Sequence, residues 1–153
     1  MTAPIGGPGL LPLLTAPADA ARPQRMFRSL EIASSGLSAQ RVRMEVAANN
    51  IANAETTHGV DGTPYKRQIV TLNTVAGDGG DSVEVSGIVE DDSLGPLVYD
   101  PGHPDANADG YVRYPNVRIT DETVDLMSAR RVYEANASVL QVAKAMLRHS
   151  LDI

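Results

Sequence analysis

The stretch that decides the fold is "EVAANNIANAETT", Glu45 to Thr57, with three asparagines (Asn49, Asn50, Asn53) inside an otherwise helical pattern. Asparagine is a mediocre helix former, because its amide competes for the backbone. From Val46 to Ala54 no side chain is charged. A helix uncharged on every side is normally buried on every side, so the segment asks what covers it.

Outward from there the helical pattern runs from Met26 to about Thr56. Leu30, Leu37, Met44 and Ile51 recur every seven residues, and Ala33, Gln40, Ala47 and Ala54 follow each by three. That alternation marks an apolar seam, and the segment spans ~42 Å at 1.5 Å per residue. A second helix is expected from about Asp121 to Leu151. Its row is Leu126, Tyr133, Leu140 and Leu147, with Ala129, Asn136, Ala143 and Ser150 as partners. Val132, Val139, Met146 and Ile153 widen that apolar face. Thr120 is placed to cap its start, where Asp121, Glu122 and Asp125 suit the positive helix end.

Between the helices, "TPYKRQIVTLN", "SVEVSGIVE", "GPLVYDP" and "GYVRYP" are β-branched or tyrosine-bearing runs separated by Gly, Asp and Pro. These read as short strands and turns with a thin core of their own. The fold class expected is mainly α with a small β-rich insert, the long N- and C-terminal helices pairing as an antiparallel coiled coil. Four regions follow: a disordered Pro/Ala/Gly-rich extension (1–25), an N-terminal helix (26–57), an acidic β-rich middle (58–119) and a C-terminal helix (120–153). The intrachain seam comprises Leu30, Ala33, Leu37, Gln40, Met44, Ala47 and Ile51 on one helix. Leu126, Ala129, Tyr133, Asn136, Leu140, Ala143 and Leu147 form it on the other. So thin a chain is not expected to bury the uncharged faces itself. Val42, Val46, Asn49, Asn50, Asn53, Val139 and Met146 are therefore assigned to contacts with other subunits, where buried amides fix register. A solvated face near the helix end is the alternative for the asparagines.

Composition narrows the function classes. Of 153 residues none is Cys or Trp, so no disulfide or thiolate metal site is available. The net charge of −6 argues against a nucleic-acid partner. The charge is concentrated in residues 58–116, with three basic residues against ten acidic. "GLLPLL" near the N-terminus is too short, interrupted by Pro12 and unpreceded by basic residues, so it fits a secretory signal poorly. Asp105, Asn107, Asp109 and Gly110 match the opening of a calcium loop, but Asn116 stands where a bidentate Glu belongs, and Pro104 and Pro115 exclude flanking helices. His58, His103 and His149 lack metal-ligand spacing, and no nucleophile or phosphate-loop motif is present. Gly36 marks either close approach of a neighbouring helix or a tolerated kink.

"SLEIASSGLSAQRVRMEVAANNIANAETT" and "NVRITDETVDLMSARRVYEANASVLQVAKAMLRHSLDI" resemble, in that order, the N- and C-terminal signatures of bacterial flagellar rod and hook axial proteins. "YDPGHPDANADGYVRYPNV" is similar to the middle segment of proximal rod proteins of the FlgC type. The resemblance implies a structural subunit without catalysis or cofactor. Its partners would be further copies of itself, other flagellar rod proteins and the flagellar type III export apparatus, with no nucleic acid and no small-molecule substrate. It would be exported without a cleaved signal and polymerised through its terminal helices into the rod that crosses the periplasm. Chains of this kind usually begin near Met26, so either Met1 is a misassigned start, the reading expected, or residues 1–25 are a genuine extension. The alternatives are another rod subunit of the same family or, from another class, a soluble calcium-responsive adaptor built on a helical hairpin.

Overall fold

The computed structural model describes residues 22–59, 61–77 and 80–151. Two long helices, α1 (Arg22–Ala52) and α2 (Ile119–Leu151), enclose in sequence four strands. β1 (Gln68–Val75) pairs antiparallel with β2 (Ser82–Glu90), and β3 (Leu97–Tyr99) pairs antiparallel with β4 (Tyr111–Arg113). These are two separate two-stranded sheets, one strand in each β-branched run of the sequence. The segment read as a disordered extension lies outside the described residues up to position 21. Residues 22–25, however, are already helical, and Pro23 stands in the first turn, where its missing N–H is harmless.

α2 also begins earlier than its local signals suggest. Asp121 and Glu122 donate their backbone N–H groups to the Arg118 carbonyl, and Thr120 lies inside the first turn. The capping role expected of Thr120 is thus not realised. Its hydroxyl approaches Asp121 instead, at 3.4 Å.

The helices pack along each other. The Asn50 amide near the end of α1 bonds Glu122 at the start of α2, and Gly36 in the middle of α1 lies against Asn136 in the middle of α2. A Cβ built on Gly36 would come within 2.6 Å of Asn136 Nδ2, so the glycine is the hollow into which that amide fits. Alanine favours a helix over glycine by ~1 kcal/mol. Gly36→Ala should therefore stabilise an Asn136→Ala background by about that amount and the native chain by clearly less, a coupling measurable by thermal unfolding of the four-variant cycle.

The β1–β2 hairpin lies on α1. Ile32, Ser35, Ala39, Val42 and Val46 form a second row at 3-4 spacing, two residues out of phase with the seam, and Asn50 follows Val46 one turn on. Gly80 of the hairpin turn sits against Ile32, the Ser35 hydroxyl accepts the Val83 N–H at 3.2 Å, and Asn50 bonds both polar backbone groups of Gln68. Ala39 and Val46 on the same row are buried. A bulge opposite Thr71 and Leu72 puts one extra residue, Ser86, into β2, and its hydroxyl donates to the Thr71 carbonyl. α1 is thereby covered on two sides, by α2 and by the chain's own insert. Among the described residues no strand lies along α2 in this way, and beyond its first turn only α1 covers it.

Candidate assembly surface

Each asparagine of the decisive stretch has a different task. Asn53 Nδ2 donates to the Asn49 carbonyl at 2.9 Å, and the Asn53 N–H bonds the same oxygen at 3.1 Å, closing the last turn of α1. With no basic residue in that last turn, the amide takes over the work of satisfying an orphan carbonyl. The Asn49 side chain is exposed.

Asn50 is 1% exposed and fully satisfied. Its Nδ2 donates to the Gln68 carbonyl and to Glu122 Oε2, both at 2.9 Å. Its Oδ1 accepts the Gln68 N–H and the Tyr65 hydroxyl, also at 2.9 Å each. Glu122, equally buried, receives Arg67 Nε on its other oxygen, and the Arg67 guanidinium also lies 3.6 Å from Asp125. Asn116 Oδ1 accepts the Arg67 N–H at 2.8 Å, while its Nδ2 donates to the Asp91 carbonyl and the Ser93 hydroxyl. One polar junction thus ties the end of α1, the start of α2, the first residue of β1 and the segment after β2.

The junction carries its own pH dependence. Burial, and after it the nearby Glu122 and Glu90 carboxylates, pushes the Tyr65 phenol above its ordinary value. The hydrogen bond to Glu122 raises the Arg67 guanidinium further, so it stays charged. A raised phenol favours the protonated folded state: its contribution is complete below the unfolded tyrosine value, about 10, and is lost as pH rises through the folded one. Melting temperature should accordingly fall as pH rises above about 10. Tyr65→Phe should flatten that decline, at a cost of ~1 kcal/mol near neutrality for the lost hydrogen bond.

The fourteen seam residues named from the sequence lie at these depths: Ala33, Ala47, Ala129 and Ala143 are buried, and the other ten are half-buried. Gln40 accepts a hydrogen bond from Arg43 of its own helix. The residues assigned to subunit contacts divide. Val42, Val46 and Asn50 belong to the row under the β1–β2 hairpin, so their side chains are used inside the chain. The period of α1 gave a second covered face but could not say that the insert covers it. Val139 and Met146 are open to solvent, at 48% and 58% exposure, as are Val132 and Val142. The row Val132–Val139–Met146 therefore does not widen the intrachain face. Ile153 lies outside the described residues.

The calcium reading meets engaged ligands. Asp105 accepts the Thr57 hydroxyl at 2.7 Å and lies 3.4 Å from His58 Nδ1. Asn107 Oδ1 accepts the N–H groups of Asp109 and Tyr111, folding the loop on itself, with Gly110 at φ 79°. Among the described residues no three His, Asp or Glu side chains are grouped to hold a metal ion. None of the described helices is long and apolar enough to cross a membrane.

Comparison with known proteins bears on the two helices directly. Residues 30–59 match the family described as Flagella basal body rod protein, and residues 108–153 match Flagellar basal body rod FlgEFG protein C-terminal. The FlgC rod protein of Bacillus subtilis is 45% identical over 145 residues, covering 83% of this chain and 97% of the relative. The chain belongs to the FlgC family of flagellar basal-body rod proteins. FlgC of Borreliella burgdorferi is 41% identical over 84% of this chain and 97% of its own length, and that of Aquifex aeolicus 37% over 83% and 96%. The adaptor reading gives way to this membership. The FlgC-family segments coincide with the packed architecture: the first spans the α1 seam from Leu30 and the asparagine-closed end, the second β4 and all of described α2. The sequence alone assigns Tyr65, Arg67 and Gln68 no role at the site, and Ser35 figures there only within the N-terminal family signature. Glu122 stands there only as a favourable charge at a helix start, and Asn116 as a defective calcium ligand and a position of the C-terminal signature.

Proposed function

We propose that this FlgC-family chain is a non-catalytic structural subunit whose α1 and α2 pair as an antiparallel coiled coil. In this reading the pair polymerises, with further copies and other rod proteins, into the helical drive shaft that crosses the periplasm. It reaches that place through the flagellar type III export apparatus, without a cleaved signal and without a cofactor. The observation that carries the reading is the asymmetry of the helix pair. α1 is covered on two sides, whereas α2 keeps Val132, Val139, Val142 and Met146 exposed along its length. Apolar side chains lined up on an otherwise finished helix are a surface for another subunit. Contacts that repeat between copies without closing generate a helical filament.

Mass spectrometry of purified hook–basal bodies tests the assignment. Peptides from Leu30 onward are expected in them, and a protein confined to the soluble fraction would refute it. Replacing Leu37 or Ile51 by Asp places a charge in the half-buried seam and should abolish swimming in soft agar. A motile Ile51→Asp strain would remove the helix pair from the mechanism.

A further inference from the structure

We infer that the β3–β4 tip is a hinged strap, latched at its far end by Asp105 to the turn after α1 and able to pivot about its root when that latch opens. The inference concerns the single chain and stands apart from the rod reading.

The tip is nearly self-contained. Among the described residues neither helix and neither strand of the β1–β2 hairpin packs on β3 or β4. Inside the tip the ties are many. Leu97, Val98 and Tyr99 pair with Arg113, Val112 and Tyr111, and the two tyrosine rings meet edge to face at 5.2 Å. Asp100 donates its N–H to the Gly110 carbonyl and Asn107 donates to the Tyr111 carbonyl, both at 2.9 Å. The Arg113 guanidinium donates to the Gly95 carbonyl, and the Tyr114 N–H to the Pro96 carbonyl. Gly95 leaves no room for a Cβ beside the Tyr114 and Pro115 carbonyls, so the two sides of the root move as one piece. Pro96, Pro101, Pro104 and Pro115 fix φ through the same stretch. Of the apolar strand residues only Val112 is buried, while Leu97, Val98, Tyr99 and Tyr111 stay exposed.

Two clips hold this unit. At the root the chain crosses at Ser93–Leu94 and at Pro115–Asn116, and the Asn116 amide fastens the crossing. Its Oδ1 accepts the Arg67 N–H, and its Nδ2 donates to the Asp91 carbonyl and the Ser93 hydroxyl. At the far end, in the connection between β3 and β4, Asp105 Oδ2 accepts the Thr57 hydroxyl at 2.7 Å, and its Oδ1 lies 3.4 Å from His58 Nδ1. Among the described residues these contacts of Asp105 are the only hydrogen bonds or ion pairs between residues 94–115 and the rest of the chain. There is also room to move. A hollow of about 260 Å³ separates Pro64 and Tyr65 on the body side from Leu94, Gly95 and Tyr114 on the tip side. Tyr65 is fixed by Asn50, so the tip is the side that moves, and it can do so without breaking a hydrogen bond of its own. A charge-assisted hydrogen bond on a partly exposed carboxylate shifts a two-state ratio by roughly tenfold. That is enough to order the tip in the isolated chain and little enough for a contact with another molecule to open it.

The absence of cysteine allows spin labels to be placed at chosen sites in the full chain. Ser38→Cys on α1 and Asp109→Cys on the tip, both exposed, report the tip-to-body distance by double electron–electron resonance. Ser38→Cys with Thr71→Cys on β1 reports the body alone. With Asp105 and Thr57 intact, one narrow tip-to-body distance is expected. Asp105→Ala removes both partners of the latch and should bring in a second distance, shifting the latched-to-released ratio about tenfold. Thr57→Val should shift it less, in the same direction, and the body pair should not change. The near-ultraviolet tyrosine signal should persist in both variants, because the paired strands turn as a unit. An unchanged distance in Asp105→Ala would overturn the latch, since the tip would then be held without it. Loss of the tyrosine signal would overturn the hinge, since the tip would unfold instead of turning. Two distances already present with Asp105 and Thr57 intact would refute a closed latch.

Discussion

Asn50→Ala is expected to destabilise the chain by about 2–4 kcal/mol, the largest effect of any single polar truncation on α1. The amide is the shared partner of four groups: the N–H and carbonyl of Gln68, the Tyr65 hydroxyl and Glu122 Oε2. A buried polar group left without a partner costs about 1–3 kcal/mol. Tyr65 can turn to water and Glu122 keeps Arg67, so the Gln68 backbone bears most of the loss. Leucine at position 50 would be no remedy, since it fills the space and satisfies nothing. Aspartate keeps the acceptor but places a second carboxylate against Glu122, and should cost at least as much at neutral pH. Thermal unfolding gives the magnitude, and amide exchange gives the place. Protection should fall first at Gln68 and along β1–β2, with the helix seam affected later. Uniform loss of protection along both helices would instead mean that the junction does not hold the insert separately.

The second large effect is expected at Gly95, where Ala should cost ~3 kcal/mol and disorganise the β3–β4 tip. A Cβ at this position would clash with the Tyr114 carbonyl oxygen and lie 2.7 Å from the Pro115 carbonyl carbon. Those are backbone atoms, so no rotamer change relieves the clash. Separating the strands would break the Tyr114 N–H bond to the Pro96 carbonyl and the Arg113 bond to the Gly95 carbonyl, at 3.0 and 3.1 Å. Gly87→Ala is the matched control, because a Cβ there meets nothing within 4 Å. Near-ultraviolet circular dichroism should report loss of the Tyr99–Tyr111 pair in Gly95→Ala while the helical signal persists. An unchanged tyrosine signal would show that the tip tolerates a wider opening than its backbone contacts indicate.

Both effects centre on residues whose neighbours are distant in sequence, and that is where legibility stopped. The seven-residue rows of α1 and α2 are local statements: 3.6 residues per turn puts Leu30, Leu37, Met44 and Ile51 on one stripe whatever else the chain does. The four strand runs and the Asn107–Gly110 turn are likewise written in neighbouring residues, as β-branching and Asx-type turn chemistry. The absence of charge from Val46 to Ala54 implied cover on every side; Val46, Ala47, Asn50 and Ala54 are buried, while Ala48, Asn49 and Ala52 stay exposed. Which element supplies that cover is another matter, because Asn50 and Glu122 are separated by 72 residues and Asn50 and Gln68 by 18. No periodicity encodes such a pairing, and an amide with four bonding sites reads the same in a subunit contact, a helix end or a buried junction.

The sequence by itself determined two amphipathic helices, a thin β insert and membership of an assembling family. Only the tertiary structure decided that the insert folds back onto α1, making Val42, Val46 and Asn50 internal and leaving α2 covered on its α1 side alone beyond the first turn. The physical reason is that helical periodicity specifies how many faces must be buried. What buries them is set by chain closure and by where complementary polar groups come within 3 Å.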